Sequence, residues 1–134
     1  MSQPFVSTQW RTALLILACA NALLLCLQPI IAILFLNGIH QAFPVHDTGA
    51  KLAALLTFSC SIVSIFAARR GAAAQWLSIA FFSQFLLEAL QIKLGELAIR
   101  SGHIPLSALL LLGGLALALH AFRYPLPADR DITT

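Results

Sequence analysis

The chain has 134 residues, of which 60% are hydrophobic and 10% charged, and a net charge of +3; its mean hydropathy is +0.89. A water-soluble domain of this length cannot hide that much apolar surface, so the composition excludes a soluble globular class and places the chain in a lipid bilayer. The small positive charge is explained by basic residues flanking apolar segments, and it calls for no nucleic-acid partner.

Four apolar stretches follow one another, at residues 12–36, 50–68, 76–97 and 104–122. Each is long enough to cross the ~30 Å hydrocarbon layer as a helix rising 1.5 Å per residue. Together they take up nearly the whole of residues 1–134, so the expected fold is all-α: one integral membrane four-helix bundle, with no room for a soluble domain. The first stretch carries "ACANA" at residues 18–22 and "ILAC" ending at Cys19, which resemble a signal-peptidase site and a partial lipobox. The apolar run continues to Leu36, well beyond the roughly 7 to 15 residues of a signal peptide's apolar region, so it reads as a retained span. The single cysteines Cys19, Cys26 and Cys60 form no C-x-x-C pair, which argues against thiol redox chemistry and thiolate metal binding.

With the N-terminus in the cytoplasm, Arg11, Arg69, Arg70, Arg123 and Arg130 fall inside, and Lys51, Lys93 and Arg100 fall outside. This excess predicts both termini in the cytoplasm, in a bacterial inner membrane. Tyr124, Pro125 and Pro127 then mark the exit into a short polar tail.

Polar residues inside the spans repeat. A shift of 63 places Asn21 on Gln84, Gln28 on Gln91 and Ala32 on Gly95; a shift of 57 places His46 on His103, Thr48 on Pro105 and Ala50 on Ser107. The bundle is therefore expected to consist of two pseudo-repeated helical hairpins. Helical periodicity aligns Gln84, Glu88, Gln91 and Gly95 on one face of the third span, and Asn21, Leu25, Gln28 and Ala32 on one face of the first. Polar stripes in a span face the bundle interior, where they serve either as hydrogen-bond glue beside small residues or as a site.

His46 and His103 fall at matching positions at the outer ends of the second and fourth spans. Pro105 favours a first helical turn, which puts His103 near the cap, and Asp47 or Thr48 is the expected cap of the helix after His46. Two imidazoles so placed match a bis-histidine haem site, and cofactor sites in bundles are built from facing helices. In that reading His46 and His103 are the metal ligands. Gln28 and Gln91 orient them or the propionates, Ala32 and Gly95 let a flat macrocycle approach the backbone, and Arg100, with Lys51 and Lys93, meets the propionates. The plain alternative is a pair of interfacial histidines without a ligand. His40, in the outer loop, is a substitute for His46 if the loop folds inward. His120, about 26 Å along a helix from His103, belongs to the opposite face, in a capping or snorkelling role.

The segment "LQIKLGELAIRSGHIPLSALLLLGGLALALHA", residues 90–121, resembles the four-helix halves of haem A synthase and small four-helix membrane proteins built like one such half, and "VHDTGAKLAALL" at residues 45–56 is a weaker copy of the same feature. The resemblance implies a four-helix bundle holding haem b through His46 and His103. This chain has one half only, and Phe43, Pro44 and Val45 stand where the synthase has a glutamate closely preceding its first histidine. The synthase reaction is therefore not implied, and Glu88 is not the counterpart of that glutamate.

Three functions follow for the structure to meet. The first is a small membrane b-type cytochrome or haem-binding protein with an electron-transfer or redox role. The second is a non-catalytic accessory subunit of a larger respiratory or redox membrane complex, or a homodimer, with Gly113, Gly114, Ala116 and Ala118 seating another helix. The third is a small proton-coupled transporter using Glu88, whose plainer reading is a charge satisfied inside the bundle. No hydrolase, P-loop or zinc-protease signature occurs.

Overall fold

In hydrocarbon, every backbone N–H and C=O has to find its partner within its own segment, so apolar runs of this length fold as helices. The computed structural model describes residues 4–124 and consists of α1 (Pro4–Leu36), α2 (Ala42–Arg69), α3 (Trp76–Glu96) and α4 (Arg100–Arg123). The expected polar tail, with Pro125, Pro127 and Arg130, lies outside the described residues. All four helices are long and apolar enough to cross a membrane. They form a ring in which α1 packs on α2 and α4, and α3 packs on α2 and α4.

The helices overrun the apolar stretches at both histidines. The second was expected from residue 50 and the fourth from residue 104, whereas α2 begins at Ala42 and α4 at Arg100. Hydropathy marks where the chain enters hydrocarbon; the helix begins earlier, in the interface. Pro44 is compatible with this start because first-turn amides have no acceptor within the helix. Asp47 and Thr48 therefore do not cap α2, and Asp47 instead accepts from Lys51 Nζ at 2.7 Å, one turn on. Likewise, Pro105 lies in the second turn of α4, not the first, and His103 is inside the helix, its N–H donating to the Ile99 carbonyl at 3.0 Å.

Three helix ends close with the same pair of hydrogen bonds. Ile39 N–H donates to Leu34 O and Gly38 N–H to Phe35 O; Ala72 to Ala67 O and Gly71 to Ala68 O; Ile99 to Leu94 O and Ala98 to Gly95 O. This motif needs a left-handed residue at the turn. Gly38 and Gly71 supply it at φ 91° and 70°, and Ala98 adopts it at φ 56° despite its Cβ.

The interior changes character along its length. At the end carrying Arg69 and Arg70 it is mainly apolar, with Leu14, Ala18, Cys60, Leu77, Phe81 and Leu117 buried beside Ser61 and Ser64, whose hydroxyls donate to carbonyls of their own helix. Trp10 stacks on Phe66 at this end, ring centres 5.0 Å apart. Arg11 Nη2 donates to the Phe122 carbonyl at 3.0 Å, so a basic side chain of α1 caps the last turn of α4. Towards the opposite end the interior becomes polar or small, with Asn21, Thr57, Gln84, Glu88 and Gln91 buried beside Ala22, Ala53 and Ala54. Outward faces are leucine- and isoleucine-rich, as lipid-facing surfaces are; Ile79, Leu109 and Leu112 are all exposed on the isolated chain.

Candidate functional site

The glutamine stripe of α3 reaches across the bundle at two levels. At mid-span, Asn21 Nδ2 of α1 donates to the Thr57 hydroxyl of α2 at 2.7 Å. Thr57 donates to Glu88 Oε1 of α3 at 2.9 Å. Gln84 Nε2 donates to the same oxygen at 3.2 Å and to the Leu110 carbonyl of α4 at 3.3 Å. One hydrogen-bonded layer thus ties all four helices together. Two glycines let α4 lie this close: a Cβ on Gly113 would stand 2.8 Å from Gln84 Oε1, and one on Gly114 would stand 2.5 Å from Leu25 Cδ1. Gly113 and Gly114 thus lie against α3 and α1 of the same chain, and Gly113 also lines an open groove between α3 and α4.

The second level is the histidine end. His46 near the start of α2 and His103 near the start of α4 face each other with ring centres 6.4 Å apart and planes at 71°. His103 is held at both its backbone and its ring. Gln91 Nε2 donates to the His103 carbonyl at 2.9 Å, and His103 Nδ1 lies 3.0 Å from the Gln91 carbonyl oxygen. A carbonyl only accepts, so Nδ1 carries the hydrogen and the lone pair of the neutral ring is on Nε2. The ring rests on Gly95, where a Cβ would come within 3.0 Å of Cε1. Gly95, expected to make room for a macrocycle, makes room for the imidazole itself.

The partner side is less complete. The backbone of Gln28 is turned towards the His46 ring, while the Gln28 side-chain amide presses on Gly49 so closely that no Cβ would fit there. Gln28 Nε2 and Oε1, Gln91 Oε1 and His46 Nδ1 are all buried without a hydrogen-bond partner. Buried polar atoms are normally satisfied by protein, water or an ion, and these four, gathered around one pair of imidazoles, are satisfied by no protein group. Ala32 lies half-buried one turn beyond Gln28 on α1.

Three cations surround this end. Lys51 pairs with Asp47 at 2.7 Å and Lys93 with Glu96 at 2.6 Å, both on exposed faces. Arg100, at the start of α4, is exposed. The other two histidines are elsewhere. His40 is exposed in the loop, its ring edge-on to Phe35 at 6.3 Å, so it does not take the place of His46. His120 meets Trp76 edge-on at 4.5 Å, at the end of the bundle opposite the His46–His103 pair.

Comparison with known proteins gives no further identification. The chain matches no protein-family model, no curated protein and no solved structure. The site has to be read from its own chemistry.

That chemistry is restricted by donor count. Among the described residues no group of three or more His, Cys, Asp and Glu side chains is placed to hold a metal ion. A bare zinc site wants four ligands, or three and a water. The His46–His103 pair by itself supplies fewer protein donors than such a site uses. The structure brings together the two histidines and two glutamines that the sequence singles out; the sequence reading passed over Thr57, which links Asn21 to Glu88 in the mid-span layer. Its only signal was a threonine at a position facing Glu88, which in an apolar helix is indistinguishable from one bonding its own backbone, as Ser59 does to Leu55 O.

Proposed function

We propose that this chain is a small membrane b-type cytochrome, holding haem b through His46 and His103 near the outer face of a bacterial inner membrane and passing single electrons. The observation that carries the reading is the separation of the two rings. With metal–nitrogen bonds of about 2 Å and roughly 1.1 Å from each nitrogen to its ring centre, two imidazoles facing one iron in line would have centres about 6.2 Å apart. The observed 6.4 Å agrees with this. The Nδ1–H of His103 on the Gln91 carbonyl is the backing that fixes a ligating imidazole and leaves Nε2 for the metal.

His46 and His103 would hold the iron through their imidazole nitrogens. Gln91 orients His103, Gln28 lies against His46, and the orphaned amide atoms of both glutamines are available to polar groups of the ligand. Arg100 is the cation best placed for a propionate, since Lys51 and Lys93 already hold carboxylates. Haem bound there would supply one-electron chemistry, and the bundle would supply the two imidazoles that hold it. The resemblance to one half of haem A synthase and the excess of arginine at the opposite end support the same assignment and orientation. So does a shared contact: the His46 ring lies against the backbone of Gln28 and the His103 ring against that of Gln91.

The test is hemin titration of the purified protein in detergent, followed by a dithionite-reduced minus oxidised spectrum. One haem per chain with a b-type α-band is expected; absence of the band after hemin addition contradicts the proposal. A second reading, an accessory subunit of a larger redox membrane complex, draws on the open groove between α3 and α4 lined by Trp76, Leu109, Gly113 and His120. It predicts a colourless preparation that copurifies with a stoichiometric partner.

A further inference from the structure

The mid-span layer has an unbalanced hydrogen-bond inventory. Each of its donor atoms already serves an acceptor: Asn21 Nδ2 bonds Thr57 with one of its two hydrogens, Thr57 bonds Glu88 Oε1, and Gln84 Nε2 bonds Glu88 Oε1 and the Leu110 carbonyl. Two acceptors are left over, Asn21 Oδ1 and Glu88 Oε2, both buried and both without a partner. Asn21 is 1% exposed and Glu88 3%. The two residues meet at one hydroxyl, so their orphan oxygens flank Thr57. A single hydrogen on Glu88 Oε2 turns one of the surplus acceptors into a donor.

No positive charge compensates Glu88. The groups that face it are Asn21 from α1, Thr57 and Cys60 from α2, Gln84 from its own helix, and, through Gln84, the Leu110 carbonyl of α4. Cys60 is the one titratable group among them, and among the described residues none is a cation. A buried carboxylate supported only by neutral donors is costly, whereas the neutral acid fits the layer. The layer is also near the histidine end. Glu88 is three residues before Gln91, less than one turn, and Gln91 holds both the ring and the carbonyl of His103.

We propose that Glu88 is a redox-linked proton-binding site: it takes up a proton on Oε2 when an electron arrives at the His46–His103 site and releases it when the electron leaves. This rests on the haem reading above. The balance is one electron from a one-electron donor and one proton from water inward on reduction, and both outward on oxidation; the only bond made or broken in the protein is O–H. A unit change of charge at roughly 12 Å through an effective dielectric of about 20 shifts the proton occupancy ratio about tenfold. An internal water donating to both orphan oxygens, with Glu88 ionised throughout, is the competing arrangement.

Reduced-minus-oxidised infrared difference spectra of the haem-loaded protein, with the visible spectrum recorded on the same sample, separate the two. On reduction a carboxylic-acid C=O band is expected to grow, to shift in deuterium oxide, and to be missing in Glu88→Gln, whose visible spectrum is unchanged. The midpoint potential is expected to fall as pH rises, because reduction consumes a proton, and to lose that slope in Glu88→Gln. Thr57→Val keeps the acid but removes a hydrogen bond to it, so its band is expected at a higher frequency. A red wild-type protein with no such band, a band that survives Glu88→Gln, or one unmoved by Thr57→Val overturns the inference and leaves the haem reading standing. A colourless protein overturns both.

Discussion

Thr57→Val isolates what the mid-span layer contributes to the bundle. Valine keeps the shape of threonine and deletes one hydroxyl, which accepts from Asn21 at 2.7 Å and donates to Glu88 at 2.9 Å. Thr57 is fully buried, so water cannot take over either bond. Interhelical hydrogen bonds in membranes average about 0.6 kcal/mol and reach about 1.7 kcal/mol, because the dissociated helices find other partners. Two such bonds, both short and both lost at once, give an expected destabilisation of about 1–3 kcal/mol. The assay is equilibrium unfolding in mixed micelles with increasing sodium dodecyl sulfate, read by tryptophan fluorescence from Trp10 and Trp76. Ser61→Ala is the control: its hydroxyl donates to Phe58 O of its own helix at 2.8 Å, and removing it is expected to change stability by less than about 0.5 kcal/mol. A Thr57→Val protein as stable as Ser61→Ala would refute the layer as an interhelical tie.

Ala98→Gly removes a Cβ from a left-handed turn residue and is expected to stabilise the bundle by about 1 kcal/mol in the same assay, since that conformation costs an L-residue about 1–2 kcal/mol and costs glycine little. Gly95→Ala puts a methyl group 3.0 Å from His103 Cε1; displacing the ring is expected to weaken hemin binding at least about tenfold, measured by titration, in line with the effect of disturbing groups that position a metal ligand. Glu96→Gln breaks only an exposed pair with Lys93, so stability is expected to change by less than about 0.5 kcal/mol.

The sequence was most legible where the bilayer imposes the answer. Four apolar runs became four helices, and Gln84, Glu88 and Gln91 of the expected stripe face the interior because lipid tolerates those groups on no other face, while Gly95 at its outer end is exposed. It was less legible where interface and packing decide. Asp47 or Thr48 looked like the cap of the second helix and Pro105 like the first turn of the fourth, but an interfacial helix needs no apolar residues to begin, so α2 and α4 start earlier, at Ala42 and Arg100. Gly95 was legible as a site of close approach; which group approaches depends on the fold of the Leu97–Ile99 turn, which swings His103 back over α3. Arg11 as a cap for α4 was invisible, since a contact between residues 11 and 122 exists only once the ring of helices closes.

The bis-histidine site is tested most directly by replacing the four histidines one at a time in the hemin-loaded protein and recording low-temperature electron paramagnetic resonance of the oxidised form. His46→Ala and His103→Ala are each expected to abolish the low-spin signal or convert it to high-spin, and His40→Ala and His120→Ala are expected to retain it. A low-spin signal that survives loss of either His46 or His103 contradicts the account.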